Sequence, residues 1–524
     1  MPASLTSCAI IGLEAFEVQA EVDLNFALPS MTIVGLPDAA VSESRERVRS
    51  AIKNSDLEFP GGRVIVNLAP ADLKKEGPSF DLPIALGIVA ANGQMPTDRI
   101  RGYVIVGELS LDGSVRPVAG VLSIVLKVRE AIQKAGAGDG GEPPKGVIVP
   151  EGNLSEASVI GGVTVIPVKH LAECVAWARG NIDIPPVKPM DVASILTNAK
   201  MDIDFADVKG QEHAKRVLEV AAAGAHNVLM VGPPGAGKTM LAQRLPSILP
   251  DMSVDEALEV TRIYSVAGLL KREDGIVTSR PFRSPHHTVS TPGLTGGGSI
   301  PRPGEVSLAH LGVLFLDEML EFPRKAIEML RQPLEDGHIT ISRAALTLTF
   351  PSRFLLVGAM NPCPCGFYGD DQKACRCSMG EINKYRKRLS GPLHDRIDVT
   401  VEVERVSTDA LLKDEDKNPG EPSAAIKERV TRARDNQLAR YKGQKLYFNA
   451  HLSSKLAKKF CGLDADCTSL LKKAVDRLGL SARAFERIKR VARTIADLDG
   501  SDNIRISHLA EAIQYRAGEV VLRQ

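Results

Sequence analysis

One stretch of the chain carries the residue types that hold a nucleotide polyphosphate. It follows an apolar strand at 227–231, precedes a helical segment at 240–245, and matches the pattern G-x-x-x-x-G-K-T. Its eight residues are Gly232, Pro233, Pro234, Gly235, Ala236, Gly237, Lys238 and Thr239. The glycines let backbone N–H groups converge on phosphate oxygens, Lys238 reaches the β- and γ-phosphates, and the Thr239 hydroxyl ligates Mg²⁺. An accidental glycine-rich turn would lack this strand and helix, so the sequence predicts an ATP–Mg²⁺ site.

A second apolar strand, at 312–316, ends in the carboxylates Asp317 and Glu318. A buried parallel strand reads as a continuous hydrophobic run, and its carboxyl end faces the ligand crevice. Asp317 is then placed to hold Mg²⁺ through water, and Glu318 to orient and deprotonate the attacking water. The position of this strand after a phosphate-binding loop predicts ATP hydrolysis as well as binding.

A third strand, at 354–360, ends at Asn361. An amide at that strand end can hydrogen-bond the γ-phosphate or the attacking water. The alternative is that Asn361 is an ordinary turn residue before Pro362.

Four cysteines follow within fifteen residues in the pattern C-x-C-x9-C-x-C: Cys363, Cys365, Cys375 and Cys377. Four thiolates can close a tetrahedral structural zinc site. The C-x-C spacing is tighter than the common C-x2-C knuckle, and an iron–sulfur cluster or a loop of reduced, uncoordinated cysteines are the alternatives.

The elements that must position these residues divide the chain into several domains, as 524 residues allow. Short β-branched runs and helical stretches alternate up to about residue 180, which predicts an α/β domain at 1–180. Prolines favour an extended linker at 181–200. The residues above then fall in a core at 201–405, and helical periodicity with glycine stops predicts a helical domain at 420–524.

Composition excludes several classes of protein. Hydrophobic residues make up 44% and charged residues 25%, as in ordinary globular proteins. No apolar run is long enough to span a bilayer, and the first residues lack a basic secretory start, so a cytoplasmic protein without membrane contact is expected. Residues 420–524 carry 21 Lys and Arg against 12 Asp and Glu. That basic excess is a weak sign of nucleic-acid contact, and a solvated helix surface is its plainer explanation.

The phosphate loop, the LFLDE strand, Asn361 at a strand end and the helical C-terminal domain together resemble an AAA+ ATPase. Asn361 then resembles the first sensor of that family. Arg396, in the stretch GPLHDRID, resembles the arginine finger presented to a neighbouring subunit, and Arg483, in LSARA, resembles the second sensor, which reaches from the lid to the phosphates. A guanidinium from outside the loop would stabilise the charge that develops during phosphoryl transfer. Taken alone, each arginine could be a surface ion pair.

Two insertions resemble the magnesium-chelatase and MCM branch of AAA+ proteins, in which such loops line a central pore. One lies at 280–306, and the other is a predicted β-hairpin at 337–350. A structured edge loop and an ordinary hairpin are the alternatives. Candidate DNA contacts on these segments are Arg280, Arg283, Arg302 and Arg343.

Long blocks of the sequence, including PFRSPHHT, NPCPCG and SGPLHDRID, resemble the ComM/YifB family over nearly the whole chain. That resemblance implies an N-terminal ribosomal-S5-domain-2-like, Lon-protease-like α/β domain, an AAA+ P-loop α/β core and a helical lid. The stretch KEGPS places Ser79 at the Lon serine position. The general-base lysine should fall at Leu122, which accepts no proton, so the domain resembles the protease fold without its chemistry. Its expected role is then an assembly or DNA-contact platform.

The resemblance implies a homo-hexameric, ATP-driven motor of the branch-migration type acting on single-stranded, duplex or branched DNA, without sequence preference, during DNA integration by homologous recombination or transformation. A chaperone-like protein remodeller, similar to the magnesium-chelatase motor subunit, is the alternative. An ATP-dependent protease is a third candidate, and the missing lysine argues against it.

Overall fold

The computed structural model describes residues 2–137, 142–197, 202–271, 273–298, 301–343, 346–406, 420–444 and 446–523, without the side chains of 343, 346 and 517–523. The chain divides into two units. The first comprises Met1–Thr197 and Ser253–Thr278, and the second comprises Asn198–Met252 and Ser279–Gln524. The stretch Ser253–Thr278, called here the excursion, thus interrupts the second unit in sequence and belongs to the first.

A seven-stranded mixed sheet lies at the centre of the first unit. The strands of this unit are β1 (Ala3–Ile11), β2 (Glu14–Asn25), β3 (Ser30–Val34), β4 (Arg63–Ala69), β5 (Tyr103–Ile105), β6 (Glu108–Leu109), β7 (Val115–Arg116), β8 (Gly146–Pro150) and β9 (Thr164–Val168). The order across the sheet is β3-β4-β2-β1-β5-β8-β9, and β6 pairs separately with β7. β2 is antiparallel to both β1 and β4, whereas the other neighbours in the large sheet run parallel.

Helices pack against this sheet, and one of them is buried almost throughout. The helices of the unit are α1 (Ala39–Asn54), α2 (Asp81–Ala91), α3 (Val121–Gly136), α4 (Leu154–Ser158), α5 (Leu171–Ala178), α6 (Val192–Thr197) and α9 (Val254–Ala267). α2 is buried at residues 81–89, as its uniformly apolar sequence requires. Its buried charge, Asp81, is paired with Arg47 at 2.8 Å, so the carboxylate keeps a partner.

The excursion is held in the first unit by polar contacts of α9. Arg262 lies 2.9 Å from the Glu14 carboxylate, and its Nε donates to the Leu13 carbonyl oxygen at 2.9 Å. The Ser265 hydroxyl donates to the buried carboxylate of Glu156. The sequence-based division placed this segment inside 201–405, whereas its contacts group it with the N-terminal unit.

A five-stranded, all-parallel sheet organises the second unit. The strands of this unit are β10 (Val228–Val231), β11 (Phe282–Arg283), β12 (Val313–Leu316), β13 (His338–Arg343), β14 (Leu346–Pro351), β15 (Leu355–Met360) and β16 (Val399–Glu402). The order is β11-β12-β15-β10-β16. β10, β12 and β15 are buried at every position, which explains why they read as continuous apolar runs. β13 and β14 form the antiparallel hairpin that the alternation at 337–350 predicts.

Short helices surround this sheet, and longer ones form the C-terminal region. They are α7 (Glu212–Gly224), α8 (Lys238–Arg244), α10 (Thr291–Thr295), α11 (Glu305–Leu308), α12 (Arg324–Met329), α13 (Arg331–Asp336), α14 (Met379–Arg386), α15 (Gly391–His394), α16 (Ser423–Arg440), α17 (Ser454–Phe460), α18 (Ala465–Leu478), α19 (Ala482–Leu498) and α20 (Ile506–Arg523). One hydrophobic core joins Val228 and Met230 of the sheet to Ile488 and Leu509 of the C-terminal helices. Burial of each such side chain contributes roughly 1.5–3 kcal/mol, so the helical region and the sheet stabilise each other.

The predicted fold class is confirmed: a mixed α/β chain with a parallel core sheet and a helical C-terminal region. The apolar spacing at 39–53 and 482–498 predicts helices, and α1 and α19 confirm both to within one residue, whereas sequence reasoning missed the β1–β2 hairpin. The glycine-rich stretch 136–146 predicts a loop and the charged stretch 413–422 a linker, and parts of both lie outside the described residues. Within the described part of the chain, no helix has the length and apolar character needed to cross a membrane.

Candidate active site

Three parallel strands of the second unit bring the predicted catalytic residues to one edge of the sheet. β15 lies between β12 and β10, with Leu316 paired with Gly358 and Val231 paired with Met360. Each strand ends there, so the phosphate loop, the Asp-Glu pair and Asn361 emerge side by side. This is the edge at which parallel sheets bind ligands.

The phosphate loop has the backbone that the glycine pattern predicts. Gly235 and Gly237 have positive φ angles of 80° and 90°, a conformation that glycine adopts without a Cβ clash. A Cβ at Gly232 would lie 2.1 Å from the carbonyl oxygen of Val403, which directly follows β16. This close packing requires a glycine at position 232. The loop can therefore turn its backbone N–H groups towards a bound anion.

Lys238 is buried, and its ammonium group is held by three oxygens. Its Nζ donates to the carbonyl oxygens of Gly232 at 2.7 Å and Pro233 at 2.9 Å, and to Asn361 Oδ1 at 3.3 Å. Burial lowers the pKa of Lys238, and the nearby charges of Asp317 and Glu318 oppose that shift. A polyphosphate would supply the countercharge that this ammonium group lacks.

Thr239 and Asp317 provide adjacent oxygens for a magnesium ion. The Thr239 hydroxyl donates to Asp317 Oδ2 at 2.7 Å, and Asp317 Oδ1 accepts the Glu318 backbone N–H at 2.9 Å. Mg²⁺ in nucleotide sites binds a few protein oxygens, phosphate oxygens and waters, so this donor set fits the ion. Asp317 would hold it, with the hydroxyl as the second protein ligand.

Glu318 is oriented by an uncommon backbone conformation. Its φ of 48° lies in the left-handed region, which non-glycine residues adopt rarely and mostly at functional sites. Its side chain is 57% exposed, which leaves the carboxylate open to water. His287 Nδ1 lies 3.7 Å from Glu318 Oε2. Sequence reasoning grouped His287 with a loop insertion and missed this contact; its place just after β11, at the same sheet edge, was the available signal.

The two predicted arginines lie at the opposite edge of the sheet. Arg396 precedes β16, and its backbone oxygen accepts a hydrogen bond from the side chain of Asn227, which directly precedes β10. Four strand residues, about 13 Å, separate that edge from the phosphate loop. Arg483 lies beside Asp395 at 3.5 Å and lines, with Arg396, a cavity of about 420 Å³. The structure therefore does not bring Arg483 together with the phosphate loop of its own chain, and its role at the phosphates stays a prediction.

Arg396 and Arg483 also differ in the solvent exposure and the contacts of their side chains. The Arg396 side chain is 12% exposed and is held by Glu335 and by the carbonyl oxygens of Arg331 and Pro392. The Arg483 side chain is 66% exposed. Arg396 is thus held by contacts within its own chain, whereas Arg483 is largely exposed to solvent.

Asp398 anchors this arginine-rich edge. It accepts the Asn227 backbone N–H at 3.0 Å and lies 3.4 Å from Arg487 and 3.7 Å from His226. Burial alone would raise the pKa of Asp398, but Arg487, His226 and the Asn227 N–H outweigh it and lower that pKa. The carboxylate therefore stays ionised in the fold.

We expect Asp398→Asn to lower the free energy of unfolding of the second unit by about 3 kcal/mol, because it leaves the largely buried guanidinium of Arg487 without its anion. A depressed pKa in the folded state gives stability that is present above the unfolded pKa, about 4, and is lost as pH falls below it. Urea unfolding should show a steeper acid loss in wild type than in the variant. Equal midpoints at neutral pH would contradict this.

The four candidate DNA arginines separate into different environments. Arg280 donates to the carbonyl oxygens of Pro250, Leu311 and Asp251, and Arg283 forms a two-pronged pair with Glu305 at 2.6 and 2.8 Å. These two guanidinium groups are engaged within the unit, and their contact with DNA stays a prediction. Arg302 is exposed. The side chain of Arg343 lies outside the described residues.

The four cysteine thiols converge two residues beyond Asn361. Sγ–Sγ distances are 3.4 Å for Cys363–Cys365, 3.7 Å for Cys363–Cys375 and 3.6 Å for Cys365–Cys375. When the Sγ atom of Cys377 is included, all four sulfurs lie within 4.8 Å of one another. Zn–S bonds of about 2.3 Å in a tetrahedron place sulfurs about 3.8 Å apart. In a four-iron cluster each cysteine binds a different iron, which spreads the sulfurs further. The spacing therefore fits a single ion.

In the first unit, the residues compared with the Lon-type serine and lysine make hydrogen bonds within the fold. Ser79 is half-buried, and its carbonyl oxygen accepts the Gly107 N–H at 2.9 Å. Leu122 is buried, and its N–H donates to Glu156 at 2.8 Å. The ammonium group of buried Lys75 donates to the Pro70 carbonyl oxygen.

Comparison with known proteins identifies the family. Family models described as "Magnesium chelatase, subunit ChlI", "Subunit ChlI of Mg-chelatase" and "Magnesium chelatase, subunit ChlI C-terminal" match residues 204–411, 20–136 and 420–516. The chain is 44% identical to the protein YifB of Escherichia coli over 97% of its length and 96% of that protein. It is 44% identical to the competence protein ComM of Haemophilus influenzae over 98% of its length and 96% of that protein. This chain belongs to the ComM/YifB family.

Family membership explains the geometry of the second unit. The magnesium-chelatase-like AAA+ relationship indicates ATPase activity, for which the sheet edge carries the phosphate loop and carboxylates described above. The magnesium-chelatase 38 kDa subunit of Chlorobaculum parvum is 24% identical over 59% of this chain and 88% of that protein. This chain is thus similar to a chelatase subunit over part of its length and to ComM and YifB over nearly all of it.

Proposed function

We propose that this chain is the subunit of an ATP-driven, homo-hexameric motor that moves branched DNA in the cytoplasm. The observation that carries the proposal is the division of the catalytic set between two edges of one sheet. Lys238, Asp317 and Glu318 lie at one edge, and Arg396 and Arg483 lie at the other. A site that needs both sets is completed by a second copy of the chain.

The proposed ring follows from that division. An interface that joins one edge to the opposite edge of the next copy is heterologous, and such contacts form a ring when the rotation between copies closes. Each arginine edge then serves the nucleotide of its neighbour, where a guanidinium stabilises charge on the transferred phosphoryl group. ATP and Mg²⁺ are the substrate and ion at each site, and Arg396 and Arg483 are the residues supplied across the interface.

DNA is the proposed substrate of the motor. The similarity to a competence protein of Haemophilus influenzae supports a role with DNA. Arg302, whose side chain is exposed, and Arg343 are the candidate contacts proposed here. Arginines that touch phosphates give sequence-tolerant binding that weakens steeply as salt concentration rises.

ATP turnover measured with and without single-stranded, duplex and branched DNA tests the proposal. We expect DNA to stimulate turnover, most strongly with branched DNA, and the stimulation to fade at high salt. A protein remodeller is the alternative, favoured by the chelatase models that match the chain. Ring formation and ATP turnover that DNA does not change would support that alternative instead.

The Lon-like domain is proposed to act without peptide cleavage. Ser79 lacks a lysine base at position 122, and Lys75 is bonded to backbone oxygen. Ser79→Ala is therefore expected to leave ATP turnover within about twofold of wild type, and neither protein should cleave casein with ATP. Casein cleavage by wild type that disappears in Ser79→Ala would overturn this.

A further inference from the structure

The loop that carries the cysteines touches the phosphate loop. Gly366, between the first two cysteines and the rest of the loop, has a φ of 84°. A Cβ built on it would lie 2.6 Å from Pro234 Cδ and 2.8 Å from Pro234 Cγ, so the Gly366 backbone lies close against the Pro234 ring. Asn361 Cγ lies 3.9 Å from the same point. Residues 363–377, called here the cysteine loop, are thus the support of both the phosphate loop and the sensor amide.

The cysteine loop has few other means of holding this position. All residues from 361 to 378 are described, and they contain no helix or strand. One ion pair holds the far side, between Asp370 and Arg405 at 2.8 Å. Arg405 follows β16 closely and also lies over the ring of Phe367, with 5.6 Å from Cζ to the centroid. An irregular segment of this length needs a cross-link to stay closed, because ordering it costs conformational entropy.

The thiols supply that cross-link when they hold a metal. Cys363 is fully buried, whereas the other three are half-buried, so the cluster sits at the base of the loop beside Asn361. Their spacing fits a tetrahedral ion, and binding of a structural zinc ion contributes directly to the stability of the segment that it closes. Gly366 comes directly after Cys365, so the position of the metal fixes the position of the contact with Pro234.

We propose that a zinc ion bound by Cys363, Cys365, Cys375 and Cys377 holds the cysteine loop against the phosphate loop, so that nucleotide binding and ATP turnover depend on the metal. The ion is structural: it presses Gly366 onto Pro234 and fixes the strand end from which Asn361 reaches Lys238. This inference rests on the proposed ATPase function.

Two glycines of the cysteine loop give a matched pair of variants. Gly366 and Gly369 have nearly equal φ angles, 84° and 80°, so alanine strains the backbone similarly at both. A Cβ meets Pro234 at position 366 and meets nothing within 4 Å at position 369. We expect both variants to keep one zinc per chain. ATP turnover should fall at least tenfold in Gly366→Ala and stay within about twofold of wild type in the control, Gly369→Ala.

Metal removal tests the same dependence in the unmodified protein. Treatment with a zinc-selective chelator, followed by gel filtration and return of Mg²⁺, should lower affinity for a fluorescent ADP analogue and ATP turnover at least tenfold. Added Zn²⁺ should restore both. Circular dichroism before and after removal separates local loosening from unfolding.

The possible outcomes are distinct. Purified protein without zinc, or stripped protein that keeps its affinity and turnover, would overturn the inference. Equal losses in Gly366→Ala and Gly369→Ala would also overturn it, because strain alone would explain them. If wild type hydrolyses no ATP, the proposed function fails, and the affinity of stripped and restored protein for the ADP analogue still decides the inference.

Discussion

Lys238→Ala should lose nucleotide binding, and Glu318→Gln should bind ATP and fail to hydrolyse it. Lys238 is the buried ammonium group of the phosphate loop, and its three oxygen partners belong to the loop and to Asn361. Removing it takes away the charge that phosphates need. Glu318 is not among the oxygen partners of Lys238, and its side chain is exposed to water. The amide variant therefore keeps the nucleotide-binding site but lacks the carboxylate that would act as general base.

Both effects on turnover should be about 100-fold or more, the size found when a main electrostatic or proton-transfer group is removed. Equilibrium binding of a fluorescent ATP analogue and phosphate release, measured on both variants and wild type, separate the two roles. Hydrolysis by Glu318→Gln at the wild-type rate would show that the general base is another residue. His287, which lies 3.7 Å from Glu318, would then be the next candidate base.

Mixed rings of Lys238→Ala and Arg396→Ala subunits should recover ATP turnover that neither variant has alone. A phosphate loop from an Arg396→Ala subunit meets an intact arginine edge when its neighbour is a Lys238→Ala subunit. In a random equal mixture about a quarter of the heterologous interfaces are intact, so turnover should approach a quarter of wild type. The physical reason is the placement of Arg396 at the opposite sheet edge from its own phosphate loop.

The same mixture with Arg483→Ala tests the second arginine. Because Arg483 is the more exposed of the two and lines the same cavity, it should also complement Lys238→Ala in mixed rings. The control is a mixture of Lys238→Ala with Glu318→Gln, whose defects lie at the same edge. Recovery in that control, or no recovery with Arg396→Ala, would contradict a site shared between subunits.

The residues of the nucleotide site could be predicted because their chemistry depends on local sequence. Gly235, Lys238 and Asp317 each follow a buried strand, and parallel pairing brings strand ends together whatever the rest of the chain does. The cysteine cluster was predictable for a similar reason, because four thiols within one short loop lie close enough in sequence to meet one another in the fold.

Other features depend on long-range packing and left no local signal. The excursion reads as part of the core from its position in sequence, whereas long-range contacts, among them the bonds of Arg262 and Ser265, place it in the first unit. Arg280 and Arg283 look like free cations in a basic loop, but carbonyl oxygens and Glu305 from other segments bind them. The position of Arg483 depends on how the helical region packs on the sheet, which periodicity does not reveal.

The conversion of a synthetic four-way junction tests the central claim most directly. Wild-type protein with ATP and Mg²⁺ is compared with Lys238→Ala on the same labelled junction, and with wild type lacking ATP. We expect ATP-dependent conversion of the junction to duplex products by wild type alone, with junctions of unrelated sequence converted at similar rates. Rings that hydrolyse ATP and leave the junction unchanged would contradict the account of a DNA motor.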